Sequence, residues 1–142
     1  VYPEGLVWYA AAEVLLMGST GPIHIDVAAL KEDWNRNPAV GESLAYVGIS
    51  DVEDLLSHFV CPIASLDDYL ADATANRDNN LLSQYVGWRS YCMASSSYFA
   101  VVSDVLSRRE TGDSVFVVPE EEREAFRARI RAAWSKLPQP PS

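Results

Sequence analysis

The sequence predicts a mainly α fold: a compact single-domain helical bundle of five to seven helices with at most a small β element. Three observations carry this expectation. Apolar residues recur at i, i+3, i+4 and i+7 in several segments, the period of an amphipathic helix. Ser, Asp and Pro stand just ahead of those segments with acids behind them, as helix starts require. Only Ser114–Val118 reads as a convincing strand.

At 142 residues the chain suits one domain, expected over residues 1–137, with a Pro-rich tail at 138–142. In chain order, Pro3 fits a first helical turn and Glu4 the positive end of a helix dipole. Leu6–Met17 then reads as a helix, apolar nearly all round and so central, closed by Gly18. Ser19-Thr20-Gly21-Pro22 is a turn. Ile23, Ile25 and Val27 alternate with His24 and Asp26, which fits a short extended piece. Asp26 equally suits the cap of a short helix to about Asn35. Pro38 and Gly41 mark a loop.

Ser50-Asp51-Val52-Glu53 has the form of a capping box, followed by the stripe Val52, Leu55, Leu56, Phe59 and ended by Pro62. Ser65 opens another helix with Asp68 at its third position, and Leu66, Tyr69, Leu70 and Ala73 repeat the stripe. Leu81 to about Arg108 is one long helical pattern or two stacked ones, with Gly87 and Ser95–Ser97 as break points. Pro119 starts the last helix. Its early turns hold Glu120, Glu121, Glu122 and Glu124, and its later turns Arg127, Arg129, Arg131 and Lys136, the order the macrodipole favours. Phe126, Ile130, Trp134 and Leu137 form its apolar face.

Charge is the feature with the clearest bearing on function. The net charge is -9, and no Lys or Arg lies between Arg36 and Arg77. That stretch holds Glu42, Asp51, Glu53, Asp54, Asp67, Asp68 and Asp72. A surface of one sign projects a field that selects its partners. Duplex nucleic acid is disfavoured as a ligand, because phosphate contacts need Lys and Arg, and an anionic membrane is disfavoured for the same reason. The apolar stretch Leu6–Met17, interrupted by Glu13, is too short to span a bilayer. The stretch VYPEGLVWYAAAEVLLMG lacks the basic n-region expected of a secretory signal. Cys61 and Cys92 make no disulfide framework, and free core thiols fit a reducing, cytoplasmic setting.

Spacing offers few routes to catalysis. Asp51 and Asp54 share one helix face, and Asp68 and Asp72 share another with Asp67 beside them. If the two helices pack together, their carboxylates suit a hard cation such as Mg²⁺, with Asp68 and Asp72 the candidate metal ligands. Asp67-Asp68-Tyr69-Leu70-Ala71-Asp72 resembles the aspartate-rich metal motif of terpene synthases, whose second metal motif is missing here. The pairing also resembles that of all-α nucleotide pyrophosphohydrolases, which use mainly Glu at tighter spacing. His24 and Asp26 are the candidate catalytic pair for acid/base chemistry on a loop. His58, Cys61, His24 and Cys92 are the chain's soft-metal ligands, without a paired CxxC arrangement. Cys92 and Ser95–Ser97 lack a neighbouring base, and Gly18-Ser19-Thr20-Gly21 lacks a P-loop Lys.

The balance favours a non-enzymatic acidic protein-binding module, of inhibitor, immunity or adaptor type, that steers a basic protein partner onto Asp51, Asp54, Asp67, Asp68 and Asp72. No cofactor is implied, and oligomeric state is left open. The alternative is a small helical enzyme with an inter-helix pocket, either Mg²⁺-dependent and phosphohydrolase-like on the clustered Asp residues or acid/base through His24 and Asp26.

Overall fold

A computed structural model describes residues 3–10, 13–72 and 96–137, without the side chains of residues 96–99. Its elements run β1 (Glu4–Ala10), β2 (Glu13–Ser19), β3 (Ile25–Asp26), α1 (Val27–Arg36), α2 (Pro38–Ala45) and α3 (Val52–Leu56). There follow β4 (Phe59–Pro62), a 3₁₀ turn (Ile63–Leu66), α4 (Asp67–Leu70), α5 (Ser96–Ser107), β5 (Phe116–Val117) and α6 (Glu120–Trp134). The fold is mixed α/β, which corrects the expected mainly α bundle with at most a small β element. Its organising element is an antiparallel sheet in the order β2-β1-β4.

The correction centres on Leu6–Met17. In place of one helix there are two strands, paired from Glu4↔Ser19 to Ala10↔Glu13. The misreading has a physical cause. β1 lies in the middle of the sheet with Leu6, Val7 and Tyr9 all buried, so neighbouring residues on both faces are apolar. Such a strand shows no period-two alternation and cannot be told from a buried helix by pattern. β2 hides the signal in the opposite way, since Leu15, Leu16 and Met17 are apolar and yet exposed. Gly18, expected as a helix stop, pairs with Gly5 inside the ladder.

β1 divides two cores. On one face Leu6 and Phe59 pack with Val27 of α1, Val52 and Leu56 of α3, Phe116 of β5, and Phe126 and Ile130 of α6. A chain of edge-to-face rings runs through this core: Trp8–Phe59 at 5.7 Å, Phe59–Phe116 at 5.1 Å and Phe116–Phe126 at 5.8 Å between centroids. Such geometry sets the positive ring edge against the negative face of its neighbour. On the other face Val7, Tyr9, Val60 and Cys61 pack with Leu66 and with Val102 and Val105 of α5. β3 and β5 form a separate parallel pair, Ile25↔Phe116 and Asp26↔Val117.

Other expectations meet the structure at shifted boundaries. Asp26 caps α1, its carboxylate accepting from the Ala29 amide at 3.0 Å. The cap of α3 is Asp51, one residue later than the box implied, and it accepts from the Asp54 amide at 2.7 Å. α3 ends at Leu56, so Phe59 of the supposed helical stripe belongs to β4. Pro38 and Gly41 lie in α2, where Pro38 occupies the first helical turn instead of a loop. The tail 138–142 and the pattern over 81–95 lie outside the described residues. No helix of the described residues is long and apolar enough to cross a membrane.

Candidate functional site

The acids of α3 face the last helix. Glu53 receives Lys31 Nζ at 2.7 Å and Arg129 Nε at 3.1 Å on the same carboxylate oxygen. Asp54 receives Lys136 Nζ at 2.8 Å on one oxygen and the Ser50 amide at 3.2 Å on the other. The Lys136 hydrogen bond, aided by the Ser50 amide, holds the Asp54 carboxyl below its usual range against the opposing effect of burial. For Glu53, burial pushes upward, but Lys31, a hydrogen bond from its own backbone amide and the charge of Arg129 together bring the net direction down. These carboxylates are therefore counter-ions in a cleft between α3 and α6. Of the expected binding residues here, Asp54 is buried and paired, and Asp51 caps the helix from an exposed position.

α4 differs. Asp67 and Asp68 occupy its first turn, and Asp72 follows in the turn after it; all are exposed. None of these carboxylates takes part in a salt bridge among the described residues. Tyr69 and Leu70 stand between them, 38% and 43% exposed. Arg108 lies 5.5 Å over the Tyr69 ring and pairs loosely with Asp104 at 3.7 Å. The face therefore combines acids that form no salt bridge among the described residues with a partly exposed phenol and isobutyl group.

Among the described residues, no group of three His, Cys, Asp or Glu side chains gathers closely enough to hold a metal ion, Asp68 and Asp72 included. The His58–Cys61 spacing does not make a chelate either. The His58 Nδ1 lies 2.7 Å from the Tyr9 carbonyl oxygen, tying β1 to the start of β4. Cys61 is buried and free, and its thiol is pushed up to about 11, first by burial and then by the nearby charge of Glu110. Cys92 and Ser95 lie outside the described residues.

His24 and Asp26 are drawn into different tasks. Asp26 caps α1. His24 is exposed and lines a cleft of about 440 Å³ with Glu4, Ser65, Glu110 and Ser114. Within it the Ser65 hydroxyl donates to Glu110 Oε1 at 2.6 Å. Sequence reasoning missed Glu110 and Ser65 because residues 45 positions apart carry no spacing signal. Nor could it assign the cations of the last helix to particular carboxylates. One signal was available: residues 108–142 carry seven of the chain's eleven Lys and Arg. That concentration beside an acid-rich body invites pairing across the fold.

Comparison with known proteins leaves the site to be read from its own geometry: no family model, no curated protein and no solved structure matches the chain.

Proposed function

We propose that the protein is a non-enzymatic acidic binding module, of inhibitor, immunity or adaptor type, and that it engages a basic protein partner through the exposed face of α4. One observation carries the reading: Asp67, Asp68 and Asp72 surround exposed Tyr69 and Leu70 without a salt bridge among the described residues. Carboxylates left unpaired at a surface speed encounter with an oppositely charged protein, and amphipathic rings beside them supply contact area. Asp51 and Asp54 contribute less, the first as a cap and the second as the counter-ion of Lys136. A cytoplasmic setting fits the free thiol buried at Cys61.

The enzymatic alternative draws on the cleft around His24, but its intended partner Asp26 is occupied at the α1 cap. The experiment is affinity capture at low and high salt, followed by association kinetics with the recovered partner. Steering predicts that Asp67→Asn with Asp68→Asn slows association roughly tenfold at low salt and flattens its salt dependence. A genuine partner that binds the double variant at the unaltered rate would overturn the reading.

A further inference from the structure

We propose that the cleft between the start of β1, the β2–β3 connection, the 3₁₀ turn and the 110–115 loop is a socket for a basic side chain, the guanidinium or ammonium group of an arginine or lysine carried by the partner. The inference rests on the reading of the protein as a binder of basic proteins and names a second, deeper contact for that partner. Glu4 and Glu110 line it together with His24, and no Lys or Arg among the described residues does.

Glu110 is held in place for such a role. Its amide donates to the Val60 carbonyl at 2.7 Å, and its Oε1 accepts the Ser65 hydroxyl at 2.6 Å. It has no salt bridge among the described residues. An ionised carboxylate has roughly four acceptor sites, so one hydroxyl leaves most of its capacity open. A cation filling that capacity makes a charge-assisted bond, about twice as strong as a neutral one. Leu6, Ile23 and Val115 supply apolar wall for the methylene stem. Long basic side chains bury their stems in this way while the charged head meets polar groups. The volume of about 440 Å³ has room for one such side chain with water. The position also suits a partner already seated on α4, because Ser65 of the cleft lies two residues before Asp67.

The test is an amide NMR titration of the full chain with Nα-acetyl-arginine methylamide, with the uncharged citrulline analogue as control. Saturable shifts at Ser65, Glu110 and Val115 are expected from the arginine probe and none from citrulline. Glu110→Gln keeps an oxygen acceptor for Ser65 and should weaken the arginine titration roughly tenfold. Glu4→Gln, at an exposed strand start, should weaken it as well, and it serves if the Glu110 variant fails to fold. Asp67→Asn with Asp68→Asn should leave the cleft shifts in place. Equal shifts with citrulline, shifts confined to residues 67–72, or shifts indifferent to both Glu variants would overturn the socket. A silent cleft together with slowed partner association in the Asp67/Asp68 variant would defeat the socket alone. A responsive cleft with unaltered association would defeat the α4 reading alone.

Discussion

Gly112 offers a sharp test of how the larger core is held together. Its backbone sits at φ +76°, in the left-handed region, and its carbonyl accepts from the amides of both Val115 and Phe116. A Cβ built there would lie 2.4 Å from two carbons of the Phe116 ring. That ring cannot retreat freely, because Phe59 and Phe126 pack against it on either side. Gly48 provides the control: its φ is +86°, but a Cβ there meets nothing within 4 Å. Replacing either glycine by alanine carries a left-handed cost of about 1–2 kcal/mol. Only Gly112→Ala also overpacks a core, at about 1–3 kcal/mol more. The expected losses are thus about 1–2 kcal/mol for Gly48→Ala and about 2–5 kcal/mol for Gly112→Ala, the latter a large share of a stability of about 5–15 kcal/mol. Urea denaturation of both variants measures the difference directly. Equal losses would show that Phe116 is not pinned against the Gly112 backbone and that the ring chain through the core is wrongly drawn.

Acid should weaken the fold in a defined window. Glu53, Asp54 and Asp113 all have carboxyls depressed in the folded state, so their contribution is complete above the unfolded carboxylate range near about pH 4 and is lost as pH falls through the folded values. Urea midpoints should therefore hold level down to about pH 5 and fall below it, less steeply in Asp54→Asn; a midpoint rising below about pH 4 refutes the pairing. Cys61, with its thiol raised to about 11 and its side chain buried, should resist a thiol reagent near neutral pH in a Cys92→Ser background until denaturant is added. Rapid labelling of the folded chain would contradict that burial. Phe59→Leu keeps much of the core volume but removes the ring contacts to Trp8 and Phe116, and about 1–3 kcal/mol should be lost, measured by the same denaturation.

Local chemistry was legible in this chain where the signal sits within a few residues. Asp26 and the run Glu120–Glu122 mark helix starts that the structure contains, and Phe126 and Ile130 are buried as their spacing requires. What failed was the long-range part. β1 gains its identity from β2 on one side and β4 on the other, and a strand buried on both faces has no alternation to read. The fold class went with it, since a single misread apolar run turned a sheet into a central helix. The α3 acids show the same limit. Their spacing put Asp51 and Asp54 near one another, but no rule of spacing could place Lys136, 82 residues from Asp54, at 2.8 Å from that carboxylate.

The pairing of charges across the fold decides where the field of this acidic protein emerges. Lys31, Arg36, Arg108, Arg123, Arg127, Arg129, Arg131 and Lys136 each lie within salt-bridge distance of a carboxylate. Arg109 is the exception among the described cations, and its guanidinium stacks 5.5 Å over Trp134. Neutralisation is therefore concentrated on α1, α3, α5, α6 and the loop before β5. The acids without a salt bridge among the described residues are spread over the fold: Glu13 on β2, Asp26 and Asp51 at the caps of α1 and α3, Glu42 on α2, Glu121 and Glu122 on α6, and two further groups. Of those two groups, Asp67, Asp68 and Asp72 lie on and just beyond α4, and Glu4 and Glu110 line the cleft beside the 3₁₀ turn. What sets the α4 group apart is its company, an exposed phenol between its acids and, two residues before Asp67, Ser65 in a cleft with apolar walls. On the proposed reading, a basic surface drawn to α4 would find room there to bury a side chain as well.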